Sequence, residues 1–311
     1  MSLAGQLAYQ LVHRPLGYVR SVADAGGPLE VWRTARGRAA MEAAAYTLPL
    51  PAPATGAPVE LHFLTGRRYW YQTAFCLWTF ARHARRPLAP VILDDGTLTE
   101  KFRAPLRRLF PNTRFLTDAD ITARLDAALP AARFPTLRAR RTSFPLLRKI
   151  TDLHAGLSGW KLFLDSDLLF FAEPRFLLDW HDAPSIPLRG EDIENAYGYP
   201  LALLDELAGQ RVSERVNTGT LGLRSDEIDW ERMEFWCREL QARAGTHYYQ
   251  EQALVALHLA GRACAVPPPA DHVLLPRSPE SVECRAVMHH YVADSKPAYF
   301  RHCWRVALQR P

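Results

Sequence analysis

The segment KLFLDSDLLFF, residues 161–171, places two carboxylates inside an otherwise apolar run. The apolar residues on both sides predict a buried strand, where an unpaired carboxylate costs roughly several kcal/mol. Side chains at i and i+2 share one face of a strand, so Asp165 and Asp167 are expected to point the same way. Two like charges that close repel unless they share a proton or a cation. We therefore expect a divalent cation with oxygen ligands here; the alternative is a turn whose N–H groups the carboxylates cap.

Alternating strands and helices surround this segment. Strands are predicted at 59–66, 88–96, 113–117 and 161–167, and helices at 69–84, 99–111 and 143–157. Farther along, residues 218–224 are strand-like, and helices are predicted at 227–244 and 249–261. This order predicts an α/β fold with a mostly parallel sheet and right-handed crossovers. Ligands of such folds bind at the carboxyl ends of the strands, which is where Asp165 and Asp167 occur.

The first 58 residues differ in character from the rest of the chain. Residues 1–46 are predicted to form a helical extension, and the Pro/Ala/Gly-rich segment 47–58 is predicted to be a linker. Residues 59–311 would then form the main domain. The mixed apolar and basic pattern near the N-terminus also suits a peripheral membrane contact, although an appended helical layer is the simpler interpretation.

Composition narrows the class of partner and the compartment. The net charge is +5, and all but four of the 38 basic residues are arginine. The arginines are scattered and no nucleic-acid-binding motif occurs, so no nucleic-acid partner is expected. The five cysteines are far apart without a C-x-x-C pair, which argues against a disulfide framework and a cysteine zinc site. With no apolar run near about 20 residues and no signal-peptide core, we expect a cytoplasmic protein, with contact to the inner membrane face as a variant.

Four motifs occur in a specific order along residues 59–300. LFLDSD, ending at Asp167, is similar to a D-x-D signature, and RVNTGTLGLR, residues 215–224, is similar to an N-[ST]-G strand. YQEQALVAL, residues 249–257, is similar to a D-Q-D helix start, and HHYVADSKP, residues 289–297, is similar to an H-x-x-G-x-x-K-P element with Ala293 in place of Gly. The ordered set resembles the metal-dependent, nucleotide-sugar-using glycosyltransferases with the GT-A fold. Within them it resembles the retaining branch that includes glycogenin and the bacterial lipopolysaccharide galactosyltransferases.

The resemblance implies a metal site and a donor site. Asp165, Asp167 and His290 would hold Mn²⁺ or Mg²⁺, and the neighbouring His289 stays open as the rival ligand. Lys296 would stabilise the diphosphate as it leaves. Glu251 would hydrogen-bond a sugar hydroxyl, and Gln252 would lie beneath the anomeric carbon. Further donor contacts are expected from Arg148, Ser166, Asn217 and Gly219.

The same resemblance implies a nucleotide pocket and an acceptor side. The base and ribose would lie against Thr65, Gly66 and Tyr69. Arg67 and Arg68 stand where relatives often carry acidic or amide residues, which leaves the base identity open. Asp95 could reach the nucleotide, although turn chemistry is favoured for it. Residues 189–200 are expected on the acceptor side, where the candidate residues are Glu191, Asp192 and Glu194.

The reaction implied is transfer of a hexose from a UDP-sugar to a hydroxyl of a glycan, lipid or other acceptor. Retention follows from the resemblance alone. An inverting enzyme needs a carboxylate base near the acceptor hydroxyl, and Asp192 or Glu191 could supply it. Three other functions stay open: a nucleotidyltransferase, a non-catalytic nucleotide-sugar-binding protein, and a peripheral-membrane adaptor. The sequence indicates neither the sugar, nor the acceptor, nor the oligomeric state.

Overall fold

A six-stranded mixed sheet lies at the centre of the computed structural model, which describes residues 22–23 and 26–310. Its strands are β1 Val59–Thr65, β2 Leu88–Asp94, β3 Arg114–Leu116, β4 Trp160–Leu164, β6 Leu188–Glu191 and β7 Val216–Arg224. The spatial order is β3-β2-β1-β4-β7-β6. Strands β3, β2, β1 and β4 are parallel, whereas β7 runs antiparallel to both β4 and β6. The predicted α/β fold with a mostly parallel sheet is therefore confirmed.

Helices connect and cover the strands. The described helices are α1 Pro28–Ala45, α2 Trp70–Ala84, α3 Glu100–Leu109, α4 Asp118–Ala128, α5 Pro135–Ser143, α6 Arg148–His154, α7 Arg175–Asp182, α8 Leu201–Ala208, α9 Trp230–Ala244, α10 Gln250–His258, α11 Glu280–Glu283, α12 Lys296–Ala298 and α13 Trp304–Gln309. The sequence patterns did not predict α4, α5, α7, α8 or the short helices α11, α12 and α13. For α4 a local signal exists, because Thr117 and Asp120 form a capping box at its start.

The D-S-D segment is a turn rather than the end of a strand. β4 ends at Leu164, and β5 (Leu168–Phe170) begins after Asp167 in a different sheet. The expectation of a strand over residues 161–167, with its two aspartates on one strand face, is therefore wrong. The chain changes sheets at this point, so the two carboxylates are brought together by the turn and not by the period of a strand.

A second, three-stranded sheet in the described part of the chain brings the C-terminal segment to this turn. Its strands are β5, β8 (His272–Leu274) and β9 (Met288–His290), in the order β5-β9-β8. β5 and β9 are antiparallel, with Leu168 opposite His290. The Tyr291 N–H also donates to the Asp167 carbonyl oxygen at 3.0 Å, an ordinary hydrogen-bond distance. This register carries His290 across the sequence to the D-S-D turn.

Apolar side chains pack against both faces of the central sheet. On one face, Leu162 and Leu164 of β4 join a cluster with Phe63 and helix α2. On the other face, Phe163 joins a cluster with helices α4, α6, α9 and α10. Burial on both sides explains why β1, β2 and β4 appear as nearly continuous apolar runs. The two cores hold the carboxyl ends of these strands in fixed positions.

Helix α1 packs against the C-terminal end of the described chain. A β-carbon at Gly37 would lie 2.4 Å from the Phe300 carbonyl oxygen, so the two backbones are in direct contact. Arg301 forms an ion pair with Glu30, and its Nε donates to the Thr34 hydroxyl at 2.9 Å. The predicted helical extension is thus a helix over Pro28–Ala45, while most of residues 1–25 lie outside the described residues. The proposed division at 47–58 stays a prediction.

No helix within residues 22–23 and 26–310 is long and apolar enough to cross a membrane.

Candidate active site

Three side chains converge at the carboxyl end of β4. Single ligand atoms of Asp165, Asp167 and His290 lie within 4.8 Å of one another, and we call these residues the triad. The His290 Nε2 atom is 3.3 Å from Asp167 Oδ1 and 3.7 Å from Asp165 Oδ2. Two carboxylate oxygens and one imidazole nitrogen form a donor set that can hold a divalent cation. The residues present therefore fit the divalent ion that the motifs imply.

Gly219 of β7 has no side chain, and this leaves room for the ring of His290. A β-carbon at Gly219 would lie 2.1 Å from His290 Cε1 and 2.6 Å from Nδ1. The Gly219 carbonyl oxygen also accepts from the Asp165 N–H at 2.8 Å. A single glycine therefore supports two members of the triad, which is a reason beyond sugar binding for Gly at this position.

His289, the rival ligand, points away from the triad. Its Nδ1 lies 2.9 Å from the Tyr291 hydroxyl and its Nε2 lies 2.6 Å from Glu280. Adjacent residues of β9 project to opposite sides, so only one of the two histidines can face Asp165 and Asp167. The geometry favours His290.

Each aspartate of the triad is paired with a lysine. Lys149 Nζ lies 2.7 Å from Asp165 Oδ1, and Lys296 donates to Asp167 Oδ2. Burial alone would raise the pKa of Asp167, but Lys296 and His290 outweigh it and hold that pKa far below its ordinary value. Burial alone would lower the pKa of Lys149, but the negative charges of Asp165 and Glu251 raise it. Both lysines therefore place their ammonium groups beside carboxylates of the triad.

The sequence patterns missed Lys149 and proposed its neighbour Arg148. Arg148 Nη1 lies 3.3 Å from Asp118, and it is Lys149 that helix α6 directs to the triad. The signal available in the sequence was the scarcity of lysine: two of only four lysines meet the triad. A donor contact by Arg148 stays a prediction.

The N-T-G strand, the acceptor-side loop and helix α10 meet in one hydrogen-bond network. Asp192 Oδ2 accepts from Asn217 Nδ2 at 3.0 Å and from Gln252 Nε2 at 3.3 Å. Gln252 Nε2 also donates to the Ala196 carbonyl oxygen at 2.9 Å, and Asn217 Oδ1 accepts from the Gly219 N–H at 2.9 Å. Because both partners of the Gln252 amide nitrogen are acceptors, the orientation of this side chain is fixed. Asp192 thus positions two other predicted site residues.

Glu251 is a buried carboxyl group with one oxygen left without a partner. Its Oε2 accepts from the Thr218 hydroxyl at 3.0 Å, whereas its Oε1 has no hydrogen-bond partner among the described residues. Burial raises the pKa of Glu251 to about 7, with Lys149 acting in the opposite direction. A buried, unpartnered oxygen of this kind is an acceptor or donor available to a ligand hydroxyl.

Hydroxyl groups connect β1 to the D-S-D turn through a residue of helix α2. Thr73 Oγ1 donates to Thr65 Oγ1 at 3.0 Å and lies 2.8 Å from Ser166 Oγ. Tyr69, just before α2, exposes 47% of its surface and is free to pack on a flat ring. A β-carbon at Gly66 would collide with the Asp95 carboxylate, so this glycine is required by the turn after β2.

The acidic residues after β2 and on the acceptor side are engaged with protein groups. Asp94 accepts from the N–H groups of the following turn and pairs with Arg103, and Asp95 accepts from the Thr97 N–H at 2.9 Å. This geometry favours the turn interpretation over nucleotide binding. On the acceptor side, Glu191 pairs with Arg215 at 2.6 Å, while Glu194 is exposed.

The solved structures to which this chain is similar include glycosyltransferases. The apo crystal structure of mouse xyloside xylosyltransferase 1 matches 77% of this chain and 99% of that chain, with 12% identity and a TM-score of 0.52. The galactosyltransferase LgtC, in complex with donor and acceptor sugar analogs, matches 75% of this chain and 87% of that chain, with 16% identity and a TM-score of 0.48. The glycosyltransferase GlyE of Streptococcus pneumoniae matches 81% of this chain and 62% of that chain, with 11% identity and a TM-score of 0.46.

No protein-family model matches the sequence, and no curated protein is similar to it at the sequence level. The likeness to the mouse enzyme, together with the sheet topology and the triad, confirms the fold that the ordered motifs predicted. This chain has the GT-A fold.

Proposed function

We propose that this protein is a metal-dependent glycosyltransferase that moves a hexose from a UDP-sugar to a hydroxyl acceptor with retention. The observation that carries the proposal is the convergence of Asp165, Asp167 and His290 at the carboxyl end of β4, with Lys149 and Lys296 beside them. A D-x-D turn alone is common. A D-x-D turn that a distant histidine and two of only four lysines approach, on a GT-A sheet, is far more specific.

The triad residues would hold Mn²⁺ or Mg²⁺, which when bound supplies positive charge to the diphosphate oxygens of the donor. Lys296 lies beside Asp167 and would place its ammonium on the diphosphate, stabilising the negative charge that develops as UDP leaves. Thr65, Gly66, Tyr69 and Ser166 would bind the nucleoside side of the donor. Arg148 is retained as a further donor contact.

The donor sugar would lie against the Asp192 network and Glu251. Asn217, Gly219 and Gln252 line this region through hydrogen bonds that fix their positions. The free Oε1 atom of Glu251 would accept from or donate to a sugar hydroxyl, depending on its protonation. Gln252 would face the anomeric carbon, as its counterpart does in the retaining branch that the motifs resemble.

Retention is supported by the contacts that the two candidate bases, Asp192 and Glu191, already make with protein groups. An inverting enzyme needs a carboxylate that can take the acceptor proton. Asp192 already accepts from two side-chain amides, and Glu191 is paired with Arg215. Neither is available as a base without breaking these contacts. NMR of the anomeric proton in the product would test retention directly.

The proposal is tested by thermal unfolding of the purified protein with UDP, UDP-glucose, UDP-galactose and UDP-GlcNAc, each with Mn²⁺ and with EDTA. Metal-dependent stabilisation by several degrees is expected in the wild type, because a ligand that binds only the native state raises its stability. Asp167→Asn should abolish the effect, whereas Asp271→Asn, an exposed aspartate, should preserve it. Absence of stabilisation by every uridine nucleotide would contradict the proposal.

Turnover separates the remaining alternatives. A transferase should release UDP from the preferred donor in the presence of an acceptor. Binding without any release of UDP would indicate a non-catalytic nucleotide-sugar-binding protein. Formation of a nucleotide-sugar from UTP and a sugar 1-phosphate would indicate a nucleotidyltransferase.

A peripheral membrane contact is proposed for the outer face of α1. Leu29 and Trp32 each expose 55% of their surface, and the Arg36 guanidinium lies 5.4 Å from the centre of the Trp32 ring. An exposed aromatic and aliphatic pair beside arginines suits the interface of an anionic bilayer. Sedimentation with phosphatidylglycerol vesicles should retain the wild type and release the Leu29→Ser/Trp32→Ser variant. Equal sedimentation of both proteins would contradict this contact.

A further inference from the structure

A cavity of about 290 Å³ lies against the opposite half of the central sheet from the triad. It is bounded by the first halves of β1 and β4, by β2 and β3, and by helices α4 and α6, and we call it the β1–β4 cavity. Its apolar floor includes Val91, Ile121 and Leu153, each at most 2% exposed. The volume is near the lower end of small-molecule sites, about 300 Å³. Its lining includes no residue of the triad or of the proposed donor site.

The cavity is separated from the triad along one strand. Lys161 lines it near the start of β4, and Asp165 follows the last residue of that strand. Four residues of a strand span about 13 Å at about 3.3 Å per residue. A donor bound at the triad would therefore not fill this cavity, and the cavity requires an explanation of its own.

The charged groups around the cavity leave an excess of positive charge. Its carboxylates are engaged: Glu60 pairs with Arg114 at 2.6 Å and contacts His62 Nε2 at 3.2 Å, and Asp120 caps α4 through Thr117. The contact with His62 contributes most to lowering the pKa of Glu60 to about 2, so this carboxylate is ionised. Neither acid is ion-paired with Lys161 or Arg124, and the three Lys and Arg side chains of the lining exceed its two carboxylates by one charge.

Lys161 and Arg124 are two of the three cations of the lining. Within the part of the chain that the structure describes, neither forms an ion pair with a carboxylate; Lys161 donates to the Ser158 carbonyl oxygen at 2.9 Å, and Arg124 donates to that of Asp152. Burial lowers the pKa of Lys161, and although Glu60 opposes this, the charges of Arg114 and Arg124 lower it further. Burial also lowers the pKa of Arg124. An anion placed between them would relieve this repulsion.

We propose that the β1–β4 cavity binds a small organic anion, in which an apolar ring or branched chain carries one carboxylate or phosphate group. The apolar body would lie on Val91, Ile121 and Leu153, and the anionic group would lie between Lys161 and Arg124. The mouth is open to solvent because Arg114, Asp120 and Leu157 are exposed. This site is independent of the proposed transferase activity and does not rest on it.

Phenyl phosphate and benzoate are the probes, and isothermal titration in EDTA is the measurement. Benzamide and benzylamine serve as neutral and cationic probes of the same shape, and inorganic phosphate tests whether the apolar body matters. Saturable binding is expected for at least one of the two aromatic anions, at least tenfold tighter than for the neutral or cationic probe. Equal binding of benzamide would overturn the proposal, as would the absence of saturable binding by both aromatic anions.

Variants then locate the binding. Lys161→Met and Arg124→Met keep an apolar stem and remove one charge each, and each should weaken binding at least tenfold. Leu157→Trp keeps every charge and fills the mouth, so it should also block binding even if a charge variant folds poorly. Arg211→Met, at a side chain that is 90% exposed, should bind like the wild type. Loss of binding in Lys296→Met but not in Lys161→Met, Arg124→Met and Leu157→Trp would assign the anion to the triad and overturn the proposal.

Discussion

Gly219 and His290 are in such close contact that a β-carbon on the glycine would lie 2.1 Å from Cε1 of the imidazole. The same glycine accepts the N–H of Asp165 through its carbonyl oxygen. β7 therefore packs directly against the triad and helps to fix the positions of Asp165 and His290. Because a β-carbon in ordinary contact needs well over 3 Å, any side chain here must displace the histidine ring.

Gly219→Ala is expected to weaken Mn²⁺ binding about 10- to 100-fold, the range seen when groups that orient metal ligands are altered. The physical reason is displacement of His290 from Asp165 and Asp167, and electron paramagnetic resonance of free Mn²⁺ measures it. Gly222→Ala is the matched control, because a β-carbon there would meet the Trp180 ring at 2.4 Å and leave the triad untouched. It should destabilise the protein but preserve Mn²⁺ affinity. Equal Mn²⁺ affinity in Gly219→Ala and the wild type would show that His290 does not bind the metal.

Lys296→Met should weaken the binding of UDP and slow sugar transfer, each by at least tenfold. Lys296 is the cation beside Asp167, and its loss removes a charge-assisted contact to the diphosphate. Binding of UDP by calorimetry and transfer by release of UDP are the two measurements. Lys101→Met, at an exposed lysine on α3, is the control and should leave both unchanged. If Lys296→Met and Lys101→Met bound UDP equally well, the proposed role of Lys296 would be wrong.

Glu251 should make the metal-free protein less stable as the pH rises from about 4.5 to about 7. Burial raises its pKa from 4.5 to about 7, so in this window the folded state retains a proton that the unfolded state has released. Stability from this group is fully present below pH 4.5, is lost progressively as the pH rises, and is gone above about pH 7. At about 1.36 kcal/mol per pKa unit the loss amounts to roughly 3 kcal/mol. Urea unfolding in EDTA across this pH range measures it.

Two variants isolate the Glu251 contribution. Glu251→Gln cannot titrate, so its free energy of unfolding should fall less steeply with pH than that of the wild type. Lys149→Met removes the cation that lowers the pKa of Glu251, so the fall should extend to higher pH. Identical pH profiles for wild type and Glu251→Gln would mean that this carboxyl group keeps its ordinary pKa.

The ordered motifs predicted the parts of the site that depend on residue type and spacing. Asp165, Asp167 and His290 could be named because they match, in order, a D-x-D motif and an H-x-x-G-x-x-K-P element of the family that the sequence resembles. The choice of His290 over His289 depends on the register of β9 against β5, two strands of three residues each, which are too short to leave a readable period. Their pairing follows from tertiary structure alone.

Lys149 could not be assigned from sequence for a related reason. A 3₁₀ turn, Pro145–Leu147, precedes α6, and it has about 3.0 residues per turn instead of about 3.6. The direction of every side chain in the following helix is therefore rotated relative to a helix that starts at 143, as the sequence pattern predicted. That rotation directs Lys149 to Asp165 and leaves Arg148 on Asp118. Helical period alone cannot distinguish these two neighbours.

Gly37→Ala is expected to loosen helix α1 from the C-terminal segment and to lower the melting temperature by several degrees. A β-carbon at Gly37 would lie 2.4 Å from the Phe300 carbonyl oxygen, so the helix must move away from the chain that follows Lys296. The movement would also strain the contacts of Arg301 with Glu30 and Thr34. Alanine is otherwise a better helix former than glycine by about 1 kcal/mol, so destabilisation can only come from this contact. Hydrogen exchange should show faster exchange in α1 and in residues 296–303 of the variant than of the wild type.

Ala39→Gly, at an exposed position of the same helix, is the opposite control: it should destabilise the helix slightly and leave exchange in residues 296–303 unchanged. A variant Gly37→Ala as stable as the wild type, with unchanged exchange in 296–303, would show that α1 does not hold the segment carrying Lys296 in place.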